Sequence, residues 1–117
     1  MLAVGIDLVE VDRVEALLAR CGERALARLF APAEIAYARK GRDPLAAQRF
    51  AARFAAKEAF RKALGRPIPF REMEVVMEQK RPHLVWQGRR YPLSLTHTAR
   101  YAAAVVVVPT PPPLPPR

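Results

Sequence analysis

The stretch from residue 44 to 64, closed by Gly65, constrains this chain more than any other. Asp43 can cap a helix here, Pro44 fits its first position, where a missing amide costs no hydrogen bond, and Gly65 stands where a left-handed residue ends it. Alanines at 46, 47, 51, 52, 55, 56, 59 and 63 leave little side-chain volume, so neighbouring backbone can come close, while Phe50, Phe54 and Phe60 supply bulk. Such a helix is central and buried, and the rest of the domain is arranged around it.

Ahead of it, LAVGIDL at residues 2 to 8 alternates Leu2, Val4, Ile6 and Leu8 with Ala3, Gly5 and Asp7, the period of a half-buried strand with Asp7 opposite the apolar row. VDRVEALLARC places Val11, Val14, Leu17 and Leu18 at helical spacing, with Gly22 as a stop or kink and RALARLF as a second short helix. In APAEIAYARK, Pro32 and Glu34 suit a first helical turn, the carboxylate meeting the positive end of the dipole. After Gly65 the pattern becomes that of strands: EMEVVMEQ, HLVW, a Gln87-Gly88 turn, YPLSLTHT and YAAAVVVV. The valine run is apolar on both faces and belongs inside its sheet, with the N-terminal strand as its neighbour. Helices followed by strands predict an α+β fold over residues 1 to 108. The tail PTPPPLPPR, residues 109 to 117, lacks the amide donors to extend a ladder or a helix and is expected to be extended or disordered.

At 117 residues the chain is one domain, long enough for a core but short for an enzyme that builds its whole site alone, so association of copies is expected. Twenty Lys and Arg against eleven Asp and Glu give a formal net charge of +9, which points to a nucleic acid, a polyphosphate ligand or an acidic protein as partner. The single Cys21 excludes an internal disulfide framework and a cysteine-cluster metal site, and fits a reducing cytoplasm. Acidic Asp7 and Glu10 in MLAVGIDLVEVDR argue against an export signal. YAAAVVVV falls well short of the roughly 20 residues of a helical span, so a soluble cytoplasmic protein with no membrane partner is expected.

Four groups of residues carry possible chemistry. Arg13, Arg20 and Arg24 share one helical face if the helix survives Gly22; they are either a solvated ridge or a dock for an acidic helix or phosphates. Asp7, at a strand end, and Glu58, in the packed helix, are hard oxygen ligands of the kind magnesium takes, with substrate phosphates completing the shell. Equally, Glu58 can pair with Lys62 and Asp7 can start the next helix. Arg49, Arg53, Lys57 and Arg61 recur every fourth residue, a row able to hold phosphates, and a nucleic-acid reader is its rival reading. SLTHT groups hydroxyls around His97, which can donate to phosphate or serve only the structure. A glycine-rich phosphate loop, a nucleophile elbow and a metal-binding histidine pair are all missing from the sequence.

Together and in this order, GIDLVEVDRV, RLFAPAEI, RFAARFAAKEAFRKALG, MEVV, RPHL and SLTHTARYAAAVVV resemble the holo-acyl-carrier-protein synthases, the small bacterial phosphopantetheinyl transferases. The most specific part is the R-F-A-A-K-E-A-F core, Arg53 to Phe60, combined with G-x-D at Gly5 to Asp7. The resemblance implies the phosphopantetheinyl transferase fold, with the long helix packed on a small antiparallel sheet, assembled as a homotrimer with sites at subunit interfaces. It implies transfer of the 4'-phosphopantetheine arm of coenzyme A to a serine of apo acyl carrier protein, using magnesium and no nucleic acid. Carried over by position, Asp7 and Glu58 are the catalytic metal ligands. The resemblance likewise puts Arg53, Lys57, Lys62 and His97 on family positions near the coenzyme A phosphates, and likens Arg13 with Arg20 or Arg24 to the basic first helix that meets the carrier protein. Small basic RNA-binding module and noncatalytic scaffold for acidic partners are the competing classes. Two departures from the family pattern stand out. Arg66, Pro67 and Ile68 follow Gly65 where a second glycine is usual, and the usual N-G-K-P turn reads Gln79, Lys80, Arg81, Pro82, without its glycine.

Overall fold

The structure, a computed structural model, describes residues 1–42 and 44–109. Strand β1 (Leu2–Glu10) leads into α1 (Val11–Leu29), α2 (Pro32–Lys40) and α3 (Leu45–Leu64). A short 3-10 turn (Phe70–Glu72) then opens the strands β2 (Met73–Glu78), β3 (Arg81–Trp86), β4 (Arg89–His97) and β5 (Tyr101–Pro109). The five strands form one antiparallel sheet in the order β1-β5-β4-β3-β2. The apolar β5 is thus paired on both sides, with β1 as one neighbour, and Pro109 ends it opposite Leu2. The rest of the expected tail, residues 110–117, lies outside the described residues.

Helix α3 lies between two packed layers. Its inner face, including Ala55, Ala56, Ala59 and Phe60, meets Leu84 and Val106 of the sheet in one core. Towards its start, Phe50, Ala51 and Ala52 join Val11 and Phe30 in a second core beneath α1 and α2. Both helix ends follow local chemistry. Gly65 takes the left-handed conformation (φ 66°, ψ 29°) and donates to Arg61 O at 2.8 Å. At the start, Pro44 stands one residue earlier than expected, as the N-cap, and Arg42 O accepts from Leu45 N at 2.7 Å. The capping role expected of Asp43 lies outside the described residues. Gly22 (φ 73°, ψ −172°) breaks α1 into two helical segments.

In one chain the alternation of β1 is inverted relative to an apolar row turned inward. Ala3, Gly5 and Asp7 face α3, whereas Leu2, Val4, Ile6 and Leu8 remain 63, 63, 62 and 65 % exposed. Contact distance is the reason: a β-carbon on Gly5 would fall 1.8 Å from Ala59 O, so only a row of small residues lets the strand approach the helix.

Candidate active site

The end of β1, the first segment of α1 and the middle of α3 enclose a cleft of about 690 Å3. Asp7 and Glu10 come from β1, Arg13 and Arg20 from α1, Glu58 and Phe54 from α3, and Tyr101 closes it from β5. The close Gly5–Ala59 approach puts Asp7 against the same stretch of α3 that carries Glu58. Three carboxylates, Asp7, Glu10 and Glu58, and two guanidiniums therefore share one cleft, although 50 residues separate Asp7 from Glu58 in sequence and no spacing rule links them.

Asp7 and Glu58 each already have a cationic neighbour. Lys62 Nζ lies 2.8 Å from Asp7 Oδ1 and 3.1 Å from Ile6 O. Glu58 pairs with Arg61 at 3.2 Å, one residue short of the Lys62 partner that helical spacing offered as an alternative. Arg61 is itself held, its Nε donating to Ile68 O at 2.6 Å and its guanidinium lying 4.4 Å from the Phe70 ring centroid. The Asp7 side chain is 13 % exposed and that of Lys62 is 56 % exposed. The ammonium can thus swing on its long stem while the carboxylate stays.

The donor set suits one kind of cation. Among the described residues no group of three or more His, Cys, Asp or Glu converges, so a closed structural cage is excluded there. Two hard carboxylates on one open cleft match magnesium, which keeps waters and takes one or two protein carboxylates plus substrate phosphates.

The basic row of α3 makes contacts within the chain that its spacing does not predict. Arg49 and Arg53 lie 4.8 and 4.3 Å from the Tyr37 ring centroid, Lys57 lies 5.2 Å from that of Phe30, and Arg61 follows on Phe70. Their donors go to main-chain oxygens: Arg49 to Tyr37 O, Arg53 to Arg49 O, Lys57 to Leu29 O and Arg61 to Ile68 O. The row binds α3 to its surroundings through cation–π stacking and capped carbonyls. Arg53 is buried, with Nε and Nη2 lacking hydrogen-bond partners among the described residues, and burial lowers its pKa.

Lys57 is fully buried, its ammonium 2.7 Å from Glu34 Oε1. Burial lowers its pKa from the usual 10.5, against the pull of Glu34. Of the four residues expected near phosphates, Lys62 and His97 are exposed and Arg53 and Lys57 are interior. His97 Nδ1 lies 2.7 Å from Gln48 Oε1, joining the end of β4 to the start of α3 outside the cleft. Arg24 is exposed beyond the break at Gly22, so the expected three-arginine face is interrupted, with Arg13 and Arg20 on the cleft.

Sequence reasoning missed Glu34, whose capping pattern marks a helix start but gives no sign of burial. It also missed Tyr101, which read as a strand residue only.

The family model described as ACPS, 4'-phosphopantetheinyl transferase superfamily, matches residues 3–106. The holo-[acyl-carrier-protein] synthase of Thermus thermophilus is 45 % identical over 118 residues, covering 92 % of this chain and 93 % of that protein. The crystal structure of a holo-(acyl-carrier-protein) synthase from Bacillus anthracis in complex with CoA (3',5'-ADP) superposes with a TM-score of 0.78 at 29 % identity, covering 90 % of this chain and 93 % of that one. The Helicobacter pylori holo-[acyl-carrier-protein] synthase in complex with coenzyme A gives 0.77 at 28 %, covering 88 % and 96 %.

Proposed function

The chain belongs to the 4'-phosphopantetheinyl transferase superfamily, and from that premise we infer that it has holo-acyl-carrier-protein synthase activity. It transfers 4'-phosphopantetheine from coenzyme A to a serine of apo acyl carrier protein and releases adenosine 3',5'-bisphosphate. The observation that carries the reading is the convergence of Asp7 and Glu58 with Arg13 and Arg20 on one cleft.

The serine oxygen attacks the phosphorus that bears the pantetheine arm, the bond from that phosphorus to the departing nucleotide phosphate breaks, and the serine proton must find a base. Asp7 and Glu58 would hold magnesium, which when bound neutralises pyrophosphate oxygens and favours in-line displacement. Glu58 is the chain's own candidate acceptor for the serine proton. Lys62, exposed and adjacent to Asp7, is placed to turn its ammonium to a phosphate oxygen. Arg13 and Arg20 present forked donors to an acidic carrier protein.

Assembly as a homotrimer is supported by Leu2, Val4, Ile6 and Leu8, an exposed apolar row on the sheet face away from α3 that further copies of the chain would cover. A cytoplasmic location accords with a single, free cysteine, Cys21, and no described helix is long and apolar enough to cross a membrane. Against the rival RNA reading, Phe50 and Phe60, interleaved with the basic row, are buried, and Phe54 packs against the core, so these rings do not offer a stacking surface for bases.

The test is direct. Apo acyl carrier protein, coenzyme A and magnesium are incubated with the protein and the carrier is weighed by mass spectrometry. Gain of one phosphopantetheine is expected; an unchanged carrier mass would end the enzyme reading.

A further inference from the structure

Glu34 and Lys57 form an ion pair whose two side chains are both 0 % exposed, remote from solvent and outside the residues lining the cleft. Isolated, such a pair is poor evidence for stability, since two charges must be stripped of water. Its partners here are specific, however. Lys57 Nζ donates to Leu29 O at 2.7 Å, at the end of α1. Glu34 Oε1 accepts from Ala31 N at 2.8 Å, ahead of α2, and Oε2 accepts from Val75 N at 2.8 Å, in β2. One contact therefore ties α1, α2 and β2 to a single position on α3.

That position immediately precedes Glu58. One residue along a helix is a turn of about 100°, so the side that locks into the interior at Lys57 leaves Glu58 facing the cleft. Much of the remaining surface of α3 is alanine, which packs closely but interlocks little. Side chains reach about 5–6 Å from a helix axis, so a turn of about 10° would carry a carboxylate by about 1 Å.

We propose that Glu34 and Lys57 are positioning residues for the transfer reaction: their buried pair fixes the rotation and axial register of α3, and through it the placement of Glu58 in the cleft. The inference rests on the reading of Glu58 as a site residue. It also reassigns Lys57, which spacing and family position put near the coenzyme A phosphates, to a task performed without touching substrate.

Kinetics separates these roles. Lys57→Met and Glu34→Gln are measured in the full-length protein with apo carrier protein, coenzyme A and magnesium, at a temperature where circular dichroism shows each variant folded. A misplacement of about 1 Å can cost about 10²-fold, so kcat is expected to fall by about tenfold or more, while KM for coenzyme A stays within about threefold. The double variant should lose little more than either single one, because both break the same contact. If Lys57→Met does not fold, Glu34→Gln, which keeps size and one acceptor oxygen, carries the same test. Raised KM for coenzyme A with retained kcat would show direct phosphate binding by Lys57 and overturn the proposal. So would a lower melting temperature with kcat unchanged, which is a purely structural pair. Glu58→Gln run alongside keeps the two readings apart. If it retains wild-type kcat, the site reading fails and takes the positioning claim with it; if it loses kcat while Lys57→Met keeps it, only the positioning claim fails.

Discussion

Gly5 lies so close to α3 that a β-carbon on it would stand 1.8 Å from the carbonyl oxygen of Ala59 and 3.0 Å from Ala63 N. Both obstacles are helix backbone and cannot turn aside. Gly5→Ala must therefore push β1 away from α3 and take Asp7 with it. Overpacking of this kind costs about 1–3 kcal/mol, and a backbone obstacle places this case at or above the upper end. We expect a large drop in the urea midpoint and little residual transfer. A stable, active Gly5→Ala protein would show that the contact does not position Asp7.

The two acids themselves should separate function from folding. Asp7→Asn removes one partner of a pair whose lysine is more than half exposed, which is worth about 1 kcal/mol or less. Transfer should nevertheless fall below detection, as it should for Glu58→Gln and for the unaltered protein after chelation of divalent cations, with return on adding magnesium. Activity that persists in both variants would remove these residues from the metal site.

Most of the architecture can be read in the sequence, because local signals act where they stand. Gly22 and Gly65 both adopt positive φ, and the Gln87-Gly88 turn forms between β3 and β4. Two kinds of information are absent from any local pattern. Period two locates the faces of β1 but not which one turns inward; that depends on the Gly5–Ala59 distance. Period four groups Arg49, Arg53, Lys57 and Arg61 but gives no hint that aromatic rings and carbonyl oxygens from other elements await them. The meeting of Asp7 and Glu58 on one cleft is equally nonlocal: residue type made both candidate magnesium ligands, but no spacing brings them together.

The turn between β2 and β3 carries strain that can be relieved. Gln79 (φ 50°) and Lys80 (φ 65°) are both left-handed without being glycine. That conformation costs an L-residue about 1–2 kcal/mol. Lys80→Gly removes this cost and gives back about 0.4–1 kcal/mol through a freer unfolded chain, leaving a net gain of about 0.5–1 kcal/mol. Chemical denaturation should show higher stability with transfer unaltered; a loss of stability would mean that Lys80 makes a compensating contact.

The exposed row on β1 gives a test of assembly. Ile6 is 62 % exposed in the single chain and lies on the face turned away from α3, so Ile6→Glu should leave the fold of one chain intact. In a trimer the same carboxylate would be buried without a partner, at a cost of several kcal/mol. Light scattering should then report a monomer in place of a trimer, and transfer should be lost if neighbouring copies complete the site. A fully active trimeric Ile6→Glu protein would place the interface elsewhere.

Lys57 makes stability depend on pH in a direction that can be derived. Burial lowers its pKa in the folded chain from the usual 10.5, and this outweighs the opposing attraction of Glu34. Between the folded value and 10.5 the unfolded chain binds more protons on this group than the folded one. Stability therefore rises with pH through that window and levels off above it. Below the window both states are protonated and the dependence vanishes. The Lys57 ε-carbon resonance should accordingly titrate below 10.5. Unfolding free energy, compared with the Glu34→Gln/Lys57→Met double variant in which neither group titrates, should show a positive slope over the same range. A midpoint at or above the ordinary value, or a difference curve that falls with pH, would mean that Glu34 more than offsets the burial of the ammonium.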